Sequence, residues 1–322
     1  MKRFHRIAAA AMAVVMALSV AGCSAASSKK KIGIIQMMDH PALNSAREGF
    51  VAALEEKGYK DGEKIEIVYE NGQGDANNLS TIADKFVGDK VDLVLAIATP
   101  AAQAVAGKTT TIRIIATAVT DFTVAGLVNS DEAPGTNVSG TNDMNPISAQ
   151  IDLLFQLCPD AKTVGFLYNS SEDNSRLQVE IAKGILDAKG IAYVERTVAS
   201  TNDVQQATTS IVSECDAIYL PTDNIFASSM PTVSAITVES KTPVICGESA
   251  MVENGGLATL GISYYNIGHQ AGLMAVRVLE GEDISKMPVE SSTDYDFCIN
   301  GEIAEAIGVE IPEELQQYII AK

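Results

Sequence analysis

Between Lys31 and Ala118 the apolar positions fall into short continuous runs, separated by segments with helical spacing. Ile32-Gly33-Ile34-Ile35 is one such run, Pro41 to Lys57 is helical, Lys64 to Tyr69 is extended, Asp75 to Val87 is helical and Val91 to Ala98 is apolar almost throughout. Runs without polar alternation belong to strands covered on both faces, and the intervening helices give the βαβαβ order of a right-handed parallel sheet. Arg113 to Ala118 supplies the next strand. The order then restarts, with strands at Thr163 to Tyr168, Ala192 to Thr197 and Asp216 to Leu220, and helices at Asn174 to Lys189 and Val204 to Val212. Val244 to Cys246 and Leu257 to Leu260 are further strands. The halves share an order of elements but no residue-level repeat. The length exceeds one comfortable hydrophobic core, so the pattern predicts an α/β protein with two doubly wound parallel-sheet lobes.

The first residues follow a different rule. Lys2, Arg3, His5 and Arg6 precede an apolar stretch, Ile7 to Val20, that is too short for a mature membrane span, and Val20-Ala21-Gly22-Cys23 follows. That ending resembles a bacterial lipobox, which implies cleavage before Cys23 and lipidation of its thiol. Residues 1–23 are then signal and 24–31 a polar tether, and the body lies outside the cytoplasm, lipid-anchored to the cell membrane. An uncleaved anchor is the alternative. The whole chain has net charge −18, and losing Lys2, Arg3 and Arg6 takes the mature body from −18 to −21. Such acidity repels nucleic acid and anionic lipid, so membrane attachment rests on the lipid alone.

Polar chemistry concentrates at strand ends. Thr99-Pro100 directly follows the apolar run ending at Ala98, which predicts Thr99 as helix N-cap and Pro100 as the first helical residue. The free N–H groups there and the Thr99 hydroxyl suit a carboxylate or phosphate, although an ordinary capped helix has the same sequence. Asn71-Gly72-Gln73-Gly74 invites a dinucleotide reading, but Asn77 stands where the third glycine belongs, which leaves a tight turn. Beyond the signal the only histidines are His40 and His269, and neither a G-x-S-x-G nor a metal-ligand spacing appears, so neither an enzyme, a metal nor a cofactor is expected. Cys158, Cys215, Cys246 and Cys298 lack CxxC spacing. Buried free thiols are expected, with three pairings open in an oxidising compartment.

Gln36-Met37-Met38-Asp39-His40-Pro41-Ala42-Leu43, Asn71-Gly72-Gln73-Gly74-Asp75, Ile97-Ala98-Thr99-Pro100-Ala101-Ala102-Gln103, Thr117-Ala118-Val119-Thr120-Asp121, Leu167-Tyr168-Asn169 and Tyr219-Leu220-Pro221-Thr222-Asp223-Asn224 together resemble one family. It is that of the extracytoplasmic solute-binding lipoproteins of ABC importers, in the tryptophan- and tyrosine-uptake group. The resemblance implies a type I periplasmic-binding fold, two lobes joined by crossing strands with ligand between them. Lobe one would hold 31–142 plus about 261–290, and lobe two 143–260 plus about 291–322, with a helix from near Asn266 covering lobe one. It implies a monomer that delivers a small zwitterion, an aromatic amino acid, to an ABC permease and its ATPase. A sugar ligand, or a surface sensor without a transporter, is the alternative; the absence of Trp removes the best sugar-stacking residue.

Carried onto this chain, the resemblance gives Thr99 and Thr120 the ligand's carboxylate, with Asp121 beside Thr120 able to make Thr120's segment a simple turn. Asp223 faces the cleft from lobe two and would hold the ammonium, or else cap the next helix; Glu248 is the reserve for that role. Asn169, Asn174 and Ser175 contact ligand or cap their helix. Gln36 is expected to contact ligand, with His40 nearby as a structural hydrogen-bonder.

Overall fold

The computed structural model describes residues 29–320, so the signal segment, Cys23 and residues 24–28 of the tether lie outside the described residues. The first lobe begins with β1 (Lys30–Gln36), α1 (Pro41–Glu56), β2 (Ile65–Asn71), α2 (Ala76–Gly88), β3 (Leu93–Ile97), α3 (Thr99–Ala106), β4 (Arg113–Val119) and β5 (Val138–Asn142). The second lobe contains α4 (Ile147–Leu157), β6 (Thr163–Asn169), α5 (Asp173–Lys189), β7 (Ala192–Val198), α6 (Val204–Ile211) and β8 (Ala217–Leu220). It continues through α7 (Asn224–Ser228), α8 (Met230–Ser240), β9 (Val244–Cys246), α9 (Ser249–Glu253) and β10 (Ala258–Ile262). The chain then returns to the first lobe with α10 (Tyr264–Leu279) and β11 (Glu290–Ser291), and ends in the second with β12 (Tyr295–Ile299) and α11 (Gly301–Ile307). It therefore passes between the lobes at 143–146, at 263 and at 292–294.

Each sheet has six strands, ordered β11-β5-β4-β3-β1-β2 and β12-β10-β9-β8-β6-β7. All neighbours are parallel except β10 and β12. The winding reverses between β1 and β3 in one lobe and between β6 and β8 in the other. Open α/β sheets bind ligands at such reversals, beyond the carboxyl ends of the strands. The loops that begin at Gln36, Ala98, Asn169 and Pro221 therefore border the cleft.

Local chemistry sets the element ends. Asp75 caps α2 by accepting from the N–H groups of Asn77 at 2.8 Å and Asn78 at 2.9 Å, and Gly190 ends α5 at φ 69°. The strand β5, Val-Ser-Gly-Thr-Asn, carries no apolar run and is not visible as a strand in the hydropathy pattern. It is buried because its hydroxyls find partners: Ser139 donates to the Met287 carbonyl at 2.8 Å, and Thr141 to Thr117 Oγ1 at 2.8 Å. The returning helix starts at Tyr264 rather than near Asn266. It lies so close along α1 that a methyl group at Gly268 would sit 2.0 Å from the Ala46 carbonyl oxygen.

One cluster of buried apolar side chains extends from the first lobe into the second, including Met38 on one side and Ile225 and Phe226 on the other. A second cluster fills the far face of the second sheet. The four cysteines of the described residues are free thiols. Cys246 on β9 and Cys298 on β12 are separated by β10, roughly 10 Å at ordinary strand spacing, which is too far for a disulfide. Among the described residues no helix is long and apolar enough to cross a membrane.

Candidate functional site

Between the lobes lies a narrow polar cavity, with about 280 Å³ of empty space counting what opens to solvent. Its lobe-one wall includes His40, Leu43 and Ala118, and its lobe-two wall Asn174, Thr222, Asp223, Asn224, Ala227, Glu248 and Met251. Asp143, from the first interlobe crossing, and Tyr264, which opens α10 directly after the second, complete it, and the Tyr264 hydroxyl donates to Asp143 Oδ2 at 2.6 Å. Neither lysine nor arginine lines the cavity.

The lobe-one residues take partly different roles from those expected. Thr99 is not the helix cap: it is the first residue of α3, and Ala98 precedes it at φ 81°, ψ 152°, a conformation unfavourable for any residue with a Cβ. The Thr99 hydroxyl lies outside the cavity lining. It is buried with no hydrogen-bond partner. Thr120 Oγ1 donates to Asp143 Oδ1 at 3.0 Å and accepts from Gln178 Nε2 at 3.2 Å, so its proton is committed within the protein while it bridges the lobes. Gln36 is a brace rather than a contact. Its Nε2 donates to the Met38 carbonyl and to Asn44 Oδ1, both at 2.8 Å, and its Oε1 accepts from Arg47 at 2.7 Å.

His40 reaches across the cleft, with Nε2 3.2 Å from Asn224 Oδ1. Asn224 commits its amide N–H₂ to Glu172, so its oxygen is the acceptor and His40 Nε2 carries the proton. Burial holds the imidazole pKa down at about 4, against a smaller raising effect of Asn224, so the ring is neutral. Its Nδ1 is a buried acceptor without a partner.

In lobe two Asp223 takes the capping role. Its carboxylate accepts from Phe226 N at 3.0 Å, Asn169 N at 2.6 Å and Ser175 Oγ at 2.8 Å, while still facing the cavity. Asn169 and Ser175 therefore hold the turn together, whereas Asn174 lines the cavity with its Oδ1 buried and unpartnered. Glu248 caps α9, accepting from Ala250 N at 2.5 Å and Met251 N at 3.1 Å, and also lines the cavity. Burial, then the charge of Asp223, pushes Glu172 up to about 8. Burial likewise pushes Glu248 up to about 8 and raises Asp143 and Asp223. Four buried carboxyl groups without a protein cation make this region a receptor for positive charge.

Glu172, Asp143, Tyr264 and Asn224 were not singled out from sequence. Glu172 sits within the same asparagine-rich turn as Asn169 and Asn174, and an acidic residue there was the available signal. Asp143 and Tyr264 are 121 positions apart and meet only through the crossings.

Two parallel-sheet lobes, three crossings and a polar cavity between them define a ligand-binding protein of the type I periplasmic-binding fold. The chain belongs to the ABC transporter substrate-binding protein family, whose profile matches residues 31–320; it is a solute-binding protein and not an enzyme, and such proteins work outside the cytoplasm. A tyrosine-binding protein of Clostridioides difficile is 44% identical over 282 residues, covering 88% of this chain and 82% of that one. The ABC domain of a Streptococcus pneumonia protein in complex with L-Trp matches at TM-score 0.88 and 39% identity, over 91% of this chain and 100% of that one. The ligand-free, open structure of a Clostridium difficile substrate-binding protein with adhesive properties is 47% identical over 90% of this chain and 99% of that one, yet matches at only 0.69.

Proposed function

We propose that this protein is the lipid-anchored receptor of an ABC importer and captures an aromatic amino acid between its lobes. The observation that carries the reading is the cavity's charge: carboxyl groups and bare acceptors face it, with no lysine or arginine, so the ligand supplies the cation. The α-ammonium lies against lobe two, among Asp223, Glu248 and the Asn174 oxygen. The carboxylate is directed toward the start of α3, where the buried Thr99 hydroxyl, outside the present cavity lining, is the free donor. The apolar side chains of Leu43, Ala118, Ala227 and Met251 accommodate the ligand's ring. The relatives named for tyrosine and found with L-Trp support the same class of ligand. Cys23 carries the anchor, and the permease with its ATPase is the partner.

Calorimetry of the mature protein with L-tyrosine and L-tryptophan tests the reading, alongside small-angle scattering for compaction on binding. Saturable binding with a smaller radius of gyration is expected. Mass spectrometry that recovers a sugar from the purified protein, with no heat from either amino acid, sinks it.

Thr99→Val tests the carboxylate end. Removing a buried hydroxyl that has no protein partner should leave ligand-free stability unchanged or slightly higher. Affinity for tyrosine should fall by about 1–3 kcal/mol, the cost of a lost hydrogen bond to a charged group. Unchanged affinity in the folded variant removes Thr99 from the site.

A further inference from the structure

Glu172 occupies the N-cap position of α5, but its side chain caps nothing. It turns instead into lobe two, where it is 2% exposed and forms no part of the cavity wall. Every group it meets there is a donor: Asn169 Nδ2 at 3.2 Å on Oε1, then Asn174 Nδ2 at 3.2 Å, Asn224 Nδ2 at 2.5 Å and Asn224 N at 3.5 Å on Oε2.

An asparagine amide has a donor end and an acceptor end, so fixing one fixes the other. Asn174 commits its N–H₂ to Glu172 and to the Thr222 carbonyl at 2.9 Å, and neither of those ionised or carbonyl oxygens can donate in return. Its Oδ1 is thereby turned away from them and is left buried without a partner. Asn224 commits its N–H₂ to the same carboxylate, and its Oδ1 meets His40. Both asparagines line the cavity. Asp223 cannot replace Glu172 in this, because its oxygens are engaged by backbone N–H groups and Ser175.

We infer that Glu172 is a positioning residue: by holding the donor ends of Asn174 and Asn224 it leaves the Asn174 amide oxygen free for the ligand and fixes the Asn224 oxygen on His40, and so selects ligands bearing a primary ammonium over isosteres that lack one. The inference rests on the amino-acid reading of the cavity and adds the residue that enforces it. A proton on Glu172 would face only donors, so the ionised form is the one that fits. Burial and the neighbouring Asp223 oppose that form, and an arriving ammonium restores the balance.

The test compares L-tyrosine with 3-(4-hydroxyphenyl)propionate, the same molecule without its ammonium, by calorimetry on the mature protein. Wild type should prefer tyrosine by at least about 100-fold, since a site built around a hydrogen-bonding group rejects the analogue lacking it. Glu172→Gln puts an N–H₂ among the asparagine donors and forces at least one amide to turn its oxygen inward. The preference should then fall to about a tenth of the wild-type value or less. A purely structural role would weaken both ligands alike and leave their ratio unchanged. Asn174→Leu removes the oriented oxygen while keeping Glu172, and should lose the preference to a similar degree, with the double variant losing no more than either single one. An unchanged ratio in folded Glu172→Gln overturns the inference; should that variant not fold, full preference in Asn174→Leu does so. Wild type that binds neither compound overturns the amino-acid reading itself, whereas wild type that binds tyrosine with an unaltered variant ratio overturns only the role of Glu172.

Discussion

The ligand-free protein is expected to lose stability as pH rises from 5 to 8, and an amino-acid ligand should suppress that loss. Glu248 has its folded-state pKa pushed up to about 8, mainly by burial, and Asp143 and Asp223 are raised too. In the unfolded chain these groups ionise in the usual carboxylate range. Between that range and pH 8 the folded state holds protons that the unfolded state has released, so stability falls with rising pH. The contribution is fully present below the unfolded pKa values and is lost as pH passes through about 8. The loss should amount to a few kcal/mol on the order-of-magnitude scale of linkage.

His40, the other titratable ring at the site, is held down at about 4 and stays neutral throughout the window. Repulsion on the acidic surface adds to the trend, so Glu248→Gln serves as the isolating variant: its stability should change less between pH 5 and 8. Denaturant midpoints at the two pH values, with and without tyrosine, are the measurement. Ligand-free stability that rises across the window, or a slope untouched by Glu248→Gln, would contradict the electrostatic account of the site.

The second large effect is mechanical. Gly268→Ala should destabilise the protein by about 3 kcal/mol or more, at or beyond the upper end of ordinary overpacking. The added methyl would meet three backbone atoms of Ala46, at 2.0, 2.6 and 2.7 Å, and no side-chain rotation can move them. The two helices would have to separate, and α10 is the helix by which the chain re-enters lobe one. Gly184→Ala in α5 is the control, since nothing lies within 4 Å of the added carbon. It should stabilise by about 0.5–1 kcal/mol through helix propensity. Thermal unfolding distinguishes the pair, and equal midpoints would refute the steric argument.

Much of the architecture is legible as hydropathy. The runs at Val91 to Ala98 and Thr163 to Tyr168 announce parallel strands, and the acid before α2 marks its start, because these signals are local. β5 is illegible for the opposite reason, since its burial depends on Met287 and Thr117, which are distant in sequence. At the site, position was easier to read than role. The turns after β1, β3, β6 and β8 can be located from strand ends, but the engagement of Gln36 by Arg47 and Asn44 depends on how α1 docks. The loss of Thr99 as a cap depends on one unusual φ at Ala98, which an alanine does not advertise. Sequence also gave no sign that Asp223 would combine a helix cap with a place in the cavity wall.

Met38 and Ile225 stand on opposite lobes within one apolar cluster, both within reach of Gly74. Parting the lobes wets them. Water therefore favours the shut form before any solute arrives, through a force that weakens on cooling. Temperature then acts on this receptor as a second, weaker ligand: warmth holds the jaws together, and cold leaves them ajar for a larger share of the time.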